Sequence, residues 1–149
     1  MVIRPPSGSN STPISIDYRE TSPTGSHADM YVNRGASASK IGGLAVGVPG
    51  ELRGFEEAYK RYGGGVSWER IFRPSIDICE KGWAVTDELD RRLKLFGQFM
   101  IGLKEWEHIF APGGKLLEKG QTIKREAYGH TLRTLAAQGA NAFYEVHSE

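Results

Sequence analysis

Strand-like patterns are confined to the first third of this chain, and they are too few to build a sheet by themselves. Apolar and polar residues alternate from Ile14 to Arg19, and bulky residues alternate with small ones from Gly43 to Val48. A period of two indicates half-buried strands. Residues 1–4 add a very short extended piece. Since a lone pair of strands is marginal in water, we expect the neighbouring strands to lie outside this chain, which would make the 149 residues a fragment.

The rest of the chain has the patterns of helices, separated from the first strand by a long Pro-, Gly- and Ser-rich loop at residues 21–39. We predict that Pro74 starts a helix rather than interrupting one, and that a helix capped by Thr86 carries its apolar stripe as far as Leu103. The predicted helical segments are 49–62, 67–72, 74–81, 86–103, 106–110, a helix closing at Gly139, and a last turn at 142–144.

This order of elements predicts an α+β fold class, with a few strands followed by a mostly helical region. We divide the chain into a strand and loop part at residues 1–49, which contributes to a sheet, and a mostly helical part at residues 50–149. The bare face of the Gly43–Val48 segment would let another backbone or a ligand approach closely.

Composition excludes several function classes. With 19 basic and 18 acidic residues, the net charge of +1 is too small for a nucleic-acid-binding surface. Apolar runs fall short of the roughly 18 residues of a membrane span, and the residues after Met1 lack the pattern of a signal peptide. Cys79 is the single thiol, which precludes an internal disulfide, and we predict it to be buried and inert. We expect no cofactor and no metal, because the histidines at 27, 108, 130 and 147 are scattered.

The sequence Asn10-Ser11-Thr12 is a candidate N-glycosylation site in a Ser-, Pro- and Gly-rich stretch. It has meaning only if the protein enters the secretory pathway.

Arg19 is the candidate binding residue. Its planar guanidinium matches a carboxylate through two parallel hydrogen bonds and stays charged at any working pH. Asp17 shares its face of the predicted strand and Glu20 is adjacent. From spacing alone, a structural ion pair is therefore the better explanation of Arg19.

Two motifs resemble the large subunit of the gamma-glutamyltransferases, the family that includes gamma-glutamyl transpeptidases and glutathione hydrolases. The segment Asp17-Tyr18-Arg19-Glu20-Thr21-Ser22-Pro23 is similar to their Arg-Glu-Thr-Ala-Pro element, with Ser22 where alanine is usual. Residues 42–54, Gly-Gly-Leu-Ala-Val-Gly-Val-Pro-Gly-Glu-Leu-Arg-Gly, resemble a second family segment. Trp68, Arg73-Pro74-Ser75 and Phe110-Ala111-Pro112 extend the similarity over nearly the whole chain.

The resemblance implies part of an N-terminal-nucleophile hydrolase fold, an αββα sandwich, and an enzyme that cleaves the gamma-glutamyl bond of glutathione. It implies that the residue matching Arg19 binds the α-carboxylate of the gamma-glutamyl group, with Glu20 and Thr21 as possible supporting residues. The gamma-glutamyl-enzyme would be resolved by water or by an amino-acid or dipeptide acceptor. A threonine at the start of the small subunit is the family's nucleophile, with its own amine as base.

Because no threonine here resembles that processing site, we expect no catalytic residue in this chain and no activity from it alone. Its partners would be the small subunit of the same precursor, glutathione and other gamma-glutamyl compounds. The resemblance also implies the secretory pathway, the vacuole or the cell surface. Two alternatives stay open: a cephalosporin or glutaryl acylase on the same scaffold, and a helical interaction module anchored by the tryptophans at 68, 83 and 106.

Overall fold

The computed structural model describes residues 1–5 and 12–145, and it separates into two compact units, residues 1–64 and 65–149. Asn10, the candidate glycosylation site, lies outside the described residues, as does His147. Among the described residues, no helix has both the length and the apolar character needed to cross a membrane.

The first unit begins with a two-stranded antiparallel pair. Strand β1 (Val2–Ile3) lies beside β2 (Ile14–Ser15), with Val2 opposite Ser15 and Ile3 opposite Ile14. The backbone N–H of Ile16 donates to the carbonyl of Met1 at 2.9 Å, and the pairing then stops. The predicted strand through Arg19 is therefore too long. A strand persists only where its backbone groups find a partner, and the described residues provide none beside residues 17–19.

The predicted strand at Gly43–Val48 is wrong. Gly42, at φ +95°, leads into a short 3₁₀ helix at Gly43–Ala45. Only Val48 pairs, through two backbone hydrogen bonds with Thr21 of 2.8 and 3.0 Å. Glycines have no side chains to pack against neighbouring strands, so alternation in this segment is not enough to hold a strand.

Helix α1 (Glu51–Tyr62) closes the first unit. It begins at Glu51, two residues later than the predicted start at Pro49, and it ends at Gly63 as the sequence predicts; the C-capping N–H of Gly63 donates to the carbonyl of Tyr59. The ring of Phe55 packs against that of Tyr18, with centroids 5.5 Å apart. This contact holds the helix against the segment that follows β2.

The second unit is mostly helical. Its helices are α2 (Trp68–Lys81), α3 (Asp87–Phe96), α4 (Lys104–Phe110), α5 (Glu126–Gln138) and α6 (Asn141–Tyr144), with 3₁₀ helices at Gly97–Met100 and Pro112–Gly114. Helices α2 and α5 pack closely. A Cβ built on Gly129 of α5 would lie only 3.1 Å from the Cβ of Cys79 on α2. Cys79 is buried, as predicted. The core contains Ile76, Cys79, Val85, Leu93, Ala111, Ile123, Leu132, Leu135, Ala136 and Ala140.

Pro74 does not start a helix but lies inside α2, which begins after Ser67. The Ser67 hydroxyl accepts a hydrogen bond from the backbone N–H of Arg70 at 3.2 Å. A proline inside a helix removes one backbone hydrogen bond and strains the preceding turn. Burial of Ile76 and Cys79 along α2 favours a continuous helix in spite of this cost.

The predicted helix from Thr86 to Leu103 is also too long. Thr86 caps α3 through a 3.3 Å hydrogen bond from the N–H of Leu89, as expected, but the α-helix ends at Phe96. Gly97 is buried, and a Cβ there would be 3.0 Å from Leu116. The chain uses a glycine where a neighbour packs closely, and glycine is a poor residue for continuing a helix.

A second antiparallel pair went unpredicted. Strand β3 (Trp83–Ala84) pairs with β4 (Thr122–Ile123), with Trp83 opposite Ile123 and Ala84 opposite Thr122. Two residues are too few to display a period of two. Their pairing also joins positions far apart in the sequence, which a local pattern does not reveal.

Candidate functional site

The candidate site is built on the segment Tyr18–Thr21, which leaves β2 and is held again at its far end. Thr21 exchanges two backbone hydrogen bonds with Val48, just before the turn into α1. The ring of Tyr18 packs on Phe55 of that helix. Arg19 and Glu20 therefore lie on a short stretch of backbone that is fixed at both ends.

The guanidinium of Arg19 is the most accessible charge in this segment, with 83% of its side chain exposed. Its Nη2 donates to Oε1 of Glu20 at 3.1 Å. Asp17 does not pair with the guanidinium, because its Oδ1 accepts instead from the backbone N–H of Arg19 at 3.1 Å. The ion pair expected from spacing is therefore present with Glu20.

An exposed ion pair of this kind contributes little to stability, because water screens both charges. A guanidinium also has five N–H donors, and one of them accounts for the bond to Glu20. Arg19 can therefore bind a second carboxylate in its plane without a large energetic cost.

Glu20 carries a carboxyl whose pKa lies below its usual value of 4.5. The main cause is a hydrogen bond from its own backbone N–H, followed by the hydrogen bond and the positive charge of Arg19. Glu20 is therefore ionised at neutral pH and keeps the guanidinium oriented.

Glu20 and Thr21 also form part of the wall of a cleft of about 650 Å³ within the first unit. Two other stretches of chain complete it, one around His27 and Tyr31 and one from Leu44 to Gly47. The Tyr31 hydroxyl donates to the carbonyl of Leu44 at 3.0 Å and joins these two walls. Arg19 thus stands next to residues that line an open cleft.

Sequence reasoning did not assign His27 or Tyr31 to this site. Both belong to the long loop at residues 21–39, and loops of this length in compact domains are usually functional. The length of the loop was the feature of the sequence that pointed to functional residues within it. It does not reveal which loop residues face the cleft.

The chemistry available here is carboxylate binding. Hydroxyl groups of Thr21, Ser22 and Ser26 line the cleft, but within the described part of the chain no hydrogen bond pairs any of them with a base. No group of three or more His, Cys, Asp or Glu residues among the described residues is arranged to hold a metal ion.

The second unit has clefts of about 580 and 870 Å³, and neither contains Arg19, Glu20 or Thr21. Of the three tryptophans considered as partner anchors, Trp68 turns inward, since its Nε1–H donates to the carbonyl of Leu135 at 3.0 Å. Trp106 is 42% exposed and stacks near Phe110.

Comparison with known proteins gives a consistent result. The family model described as gamma-glutamyltranspeptidase matches residues 3–148. A glutathione hydrolase proenzyme of Arthroderma benhamiae is 42% identical over 147 residues, which are 97% of this chain and 24% of that protein. Glutathione hydrolase 3 of Arabidopsis thaliana is 34% identical over 129 residues, which are 87% of this chain and 20% of that protein.

The fold has a close counterpart among solved structures. The crystal structure of Helicobacter pylori gamma-glutamyltranspeptidase superposes with a TM-score of 0.87 at 24% identity, covering 99% of this chain and 42% of that one. The predicted class, α+β and part of an N-terminal-nucleophile hydrolase sandwich, is confirmed. The chain spans about a quarter of the length of the two curated relatives described above.

Proposed function

Because the chain belongs to the gamma-glutamyltranspeptidase family, we propose that it is part of an enzyme that cleaves the gamma-glutamyl bond of glutathione. Within that enzyme the chain forms part of the large subunit, and Arg19 binds the α-carboxylate of the gamma-glutamyl group. The observation that carries this proposal is the position of Arg19 inside the family motif, with its guanidinium exposed and hydrogen-bonded to Glu20, which lines a cleft.

Substrate binding then depends on the fork of Arg19. Two N–H groups of the guanidinium donate in parallel to the two oxygens of the α-carboxylate. The hydrogen bond from Nη2 of Arg19 to Oε1 of Glu20 is kept. Thr21 holds the backbone in place through Val48. In the complete enzyme the substrate's scissile amide extends away from this anchored end.

The remaining chemistry belongs to parts of the enzyme outside this chain. A threonine at the start of the small subunit attacks the gamma-carbonyl; its own amine takes the proton of the hydroxyl and passes it to the amide nitrogen, so that the C–N bond breaks and cysteinylglycine leaves as an amine. Water then yields glutamate, whereas an amino acid or dipeptide yields a new gamma-glutamyl compound. We expect the 149-residue chain alone to be inactive.

The test is Arg19→Lys in a full-length enzyme that carries this chain as its family segment. Lysine keeps the charge but loses the parallel pair of hydrogen bonds. A hydrogen bond to a charged group contributes about 1.5–3 kcal/mol, so we expect KM for gamma-glutamyl-p-nitroanilide to rise roughly 10- to 150-fold. The value of kcat should change little, because the contact is equally present before and during the reaction.

Arg34→Lys is the matched control, since it makes the same change elsewhere in the first unit and should leave KM unaltered. An Arg19→Lys enzyme with the KM of the wild type would refute the role assigned to Arg19. Glutaryl amides assayed in parallel separate this function from that of a glutaryl acylase.

A further inference from the structure

Three glycines in the first unit lie against the segment that carries Arg19. A Cβ on Gly50 would be 2.7 Å from the carbonyl oxygen of Tyr18 and 2.8 Å from that of Arg19. A Cβ on Gly54 would be 2.4 Å from Cβ of Tyr18, and one on Gly47 would be 3.1 Å from Cγ of Glu20. Gly47, Gly50 and Gly54 together form what we call the glycine face.

Space, rather than backbone conformation, is the reason for glycine at these positions. Gly50 has φ −89° and ψ −7°, a conformation that is also open to residues with side chains. Gly47 and Gly54 are also outside the left-handed region. Each position therefore excludes a side chain only because the Tyr18–Thr21 segment approaches so closely.

We propose that the glycine face consists of positioning residues that set where the Arg19 guanidinium lies relative to the cleft. This inference rests on the proposed function, because it assigns the glycines a role in binding the substrate carboxylate. The role assigned to these glycines is exerted through Arg19 and Glu20 rather than by contacts of their own with the substrate.

The contacts of Gly50 and Gly47 differ in how easily the neighbouring atoms can move away. Gly50 faces two backbone carbonyls, and a backbone has no alternative rotamer. Ordinary contact with a Cβ begins near 3.4 Å, so alanine at this position must displace the carbonyls of Tyr18 and Arg19 by about 0.7 Å. Gly47 faces the stem of Glu20, a flexible side chain that yields more readily.

The segment is unable to move away as one body. Thr21 is held by two hydrogen bonds to Val48, and the Tyr18 ring packs on Phe55. A displacement forced at Gly50 is therefore concentrated at Arg19 and Glu20. Misplacement of a binding group by about 1 Å costs up to roughly 100-fold in an enzyme.

The experiment compares single alanine variants of the full-length enzyme described above. For Gly50→Ala we expect KM for gamma-glutamyl-p-nitroanilide to rise about 10-fold or more, with a smaller change in kcat. Gly47→Ala should give a smaller rise, because its contact is softer. Gly43→Ala is the matched control from the same sequence motif: its Cβ would meet nothing within 4 Å, so KM should stay within about twofold.

A double variant separates positioning from general destabilisation. If Gly50 acts through Arg19, the rise in KM for Arg19→Lys combined with Gly50→Ala is clearly less than the product of the two single effects. If the effects multiply fully, or if Gly50→Ala changes only the melting temperature, the inference is overturned.

The outcomes also distinguish this inference from the proposed function. An unchanged KM for Arg19→Lys refutes the carboxylate role itself. A raised KM for Arg19→Lys together with a normal KM for Gly50→Ala refutes only the positioning role. Should Gly50→Ala fail to fold, Gly47→Ala combined with Arg19→Lys gives the same test: non-multiplying effects support positioning, and multiplying effects or a normal KM for Gly47→Ala overturn it.

Discussion

Replacing Gly82 with alanine tests why helix α2 ends where it does. Gly82 has φ +85° and ψ 174°, a region of backbone space that is essentially restricted to glycine. Gly82 also packs against strand β4. A Cβ on this residue would lie 2.7 Å from the carbonyl oxygen of Ile123 and 2.7 Å from Cγ2 of Thr122. Alanine therefore meets both a conformational and a steric penalty.

The magnitude follows from these two terms. The backbone conformation costs a non-glycine residue about 1–3 kcal/mol, and forcing an extra carbon into a packed site costs typically another 1–3 kcal/mol. We expect Gly82→Ala to lower the free energy of unfolding of the second unit by about 2–6 kcal/mol. Since domains are stable by only about 5–15 kcal/mol, this is a large fraction of the total.

Gly120→Ala is the matched control. Gly120 has nearly the same φ, +84°, but a Cβ there would meet nothing within 4 Å. Only the conformational term applies, so we expect a loss of about 1–2 kcal/mol. A larger loss for Gly82→Ala than for Gly120→Ala is expected from the contact with β4 together with the ψ of 174° at Gly82.

Urea unfolding followed by tryptophan emission measures the effect. All three tryptophans, at 68, 83 and 106, belong to the second unit, so their emission reports on that unit. Equal destabilisation by Gly82→Ala and Gly120→Ala would show that close packing of Gly82 on β4 contributes nothing, and would refute this account of the helix end.

Two further predictions concern acid stability and modification. Arg133, through its hydrogen bond to Glu80, holds the pKa of the Glu80 carboxyl below its usual value of 4.5, so the folded chain takes up this proton less readily than the unfolded chain. The contribution of the Glu80–Arg133 pair to stability is complete above about pH 4.5 and is lost as the pH falls through the lowered pKa. Glu80→Gln should therefore flatten the dependence of the urea unfolding midpoint on pH in the acid range. Glu105→Gln is the control and should leave that dependence unchanged. If the chain passes through a secretory pathway, Asn10 carries an N-glycan, so an N-glycosidase should lower the mass of the wild type but not of Asn10→Gln; equal masses before and after treatment contradict this.

Local signals in the sequence were sufficient for the family and for several helix ends. The two motifs at residues 17–23 and 42–54 identified the family, which the comparisons confirm. Thr86 caps α3 and Gly82 ends α2, as predicted, because these signals depend on one residue and its immediate neighbours.

The errors have a common physical origin. The Gly43–Val48 segment alternates as a strand does, yet only its last residue, Val48, has a pairing partner. Pro74 breaks a local rule, but burial along α2 outweighs the lost hydrogen bond. The β3–β4 pair joins residues 83 and 123, which no short-range pattern connects.

The candidate site shows the same division. Arg19, Glu20 and Thr21 are proposed as site residues from the motif, and Glu20 and Thr21 line a cleft. The sequence did not reveal which neighbouring carboxylate pairs with Arg19. In the structure Asp17 accepts from the backbone, and Glu20 accepts from the guanidinium.

What the sequence by itself determined was the family, the α+β class and the residue proposed to bind the substrate, because these depend on residue identity and order. Only the tertiary structure decided that bare glycines at 47, 50 and 54 lie against the Arg19 segment, and that residues of a long loop complete the cleft. The physical reason is close packing: which surfaces touch depends on where distant segments meet in space, and the order of residues along the chain does not specify that locally.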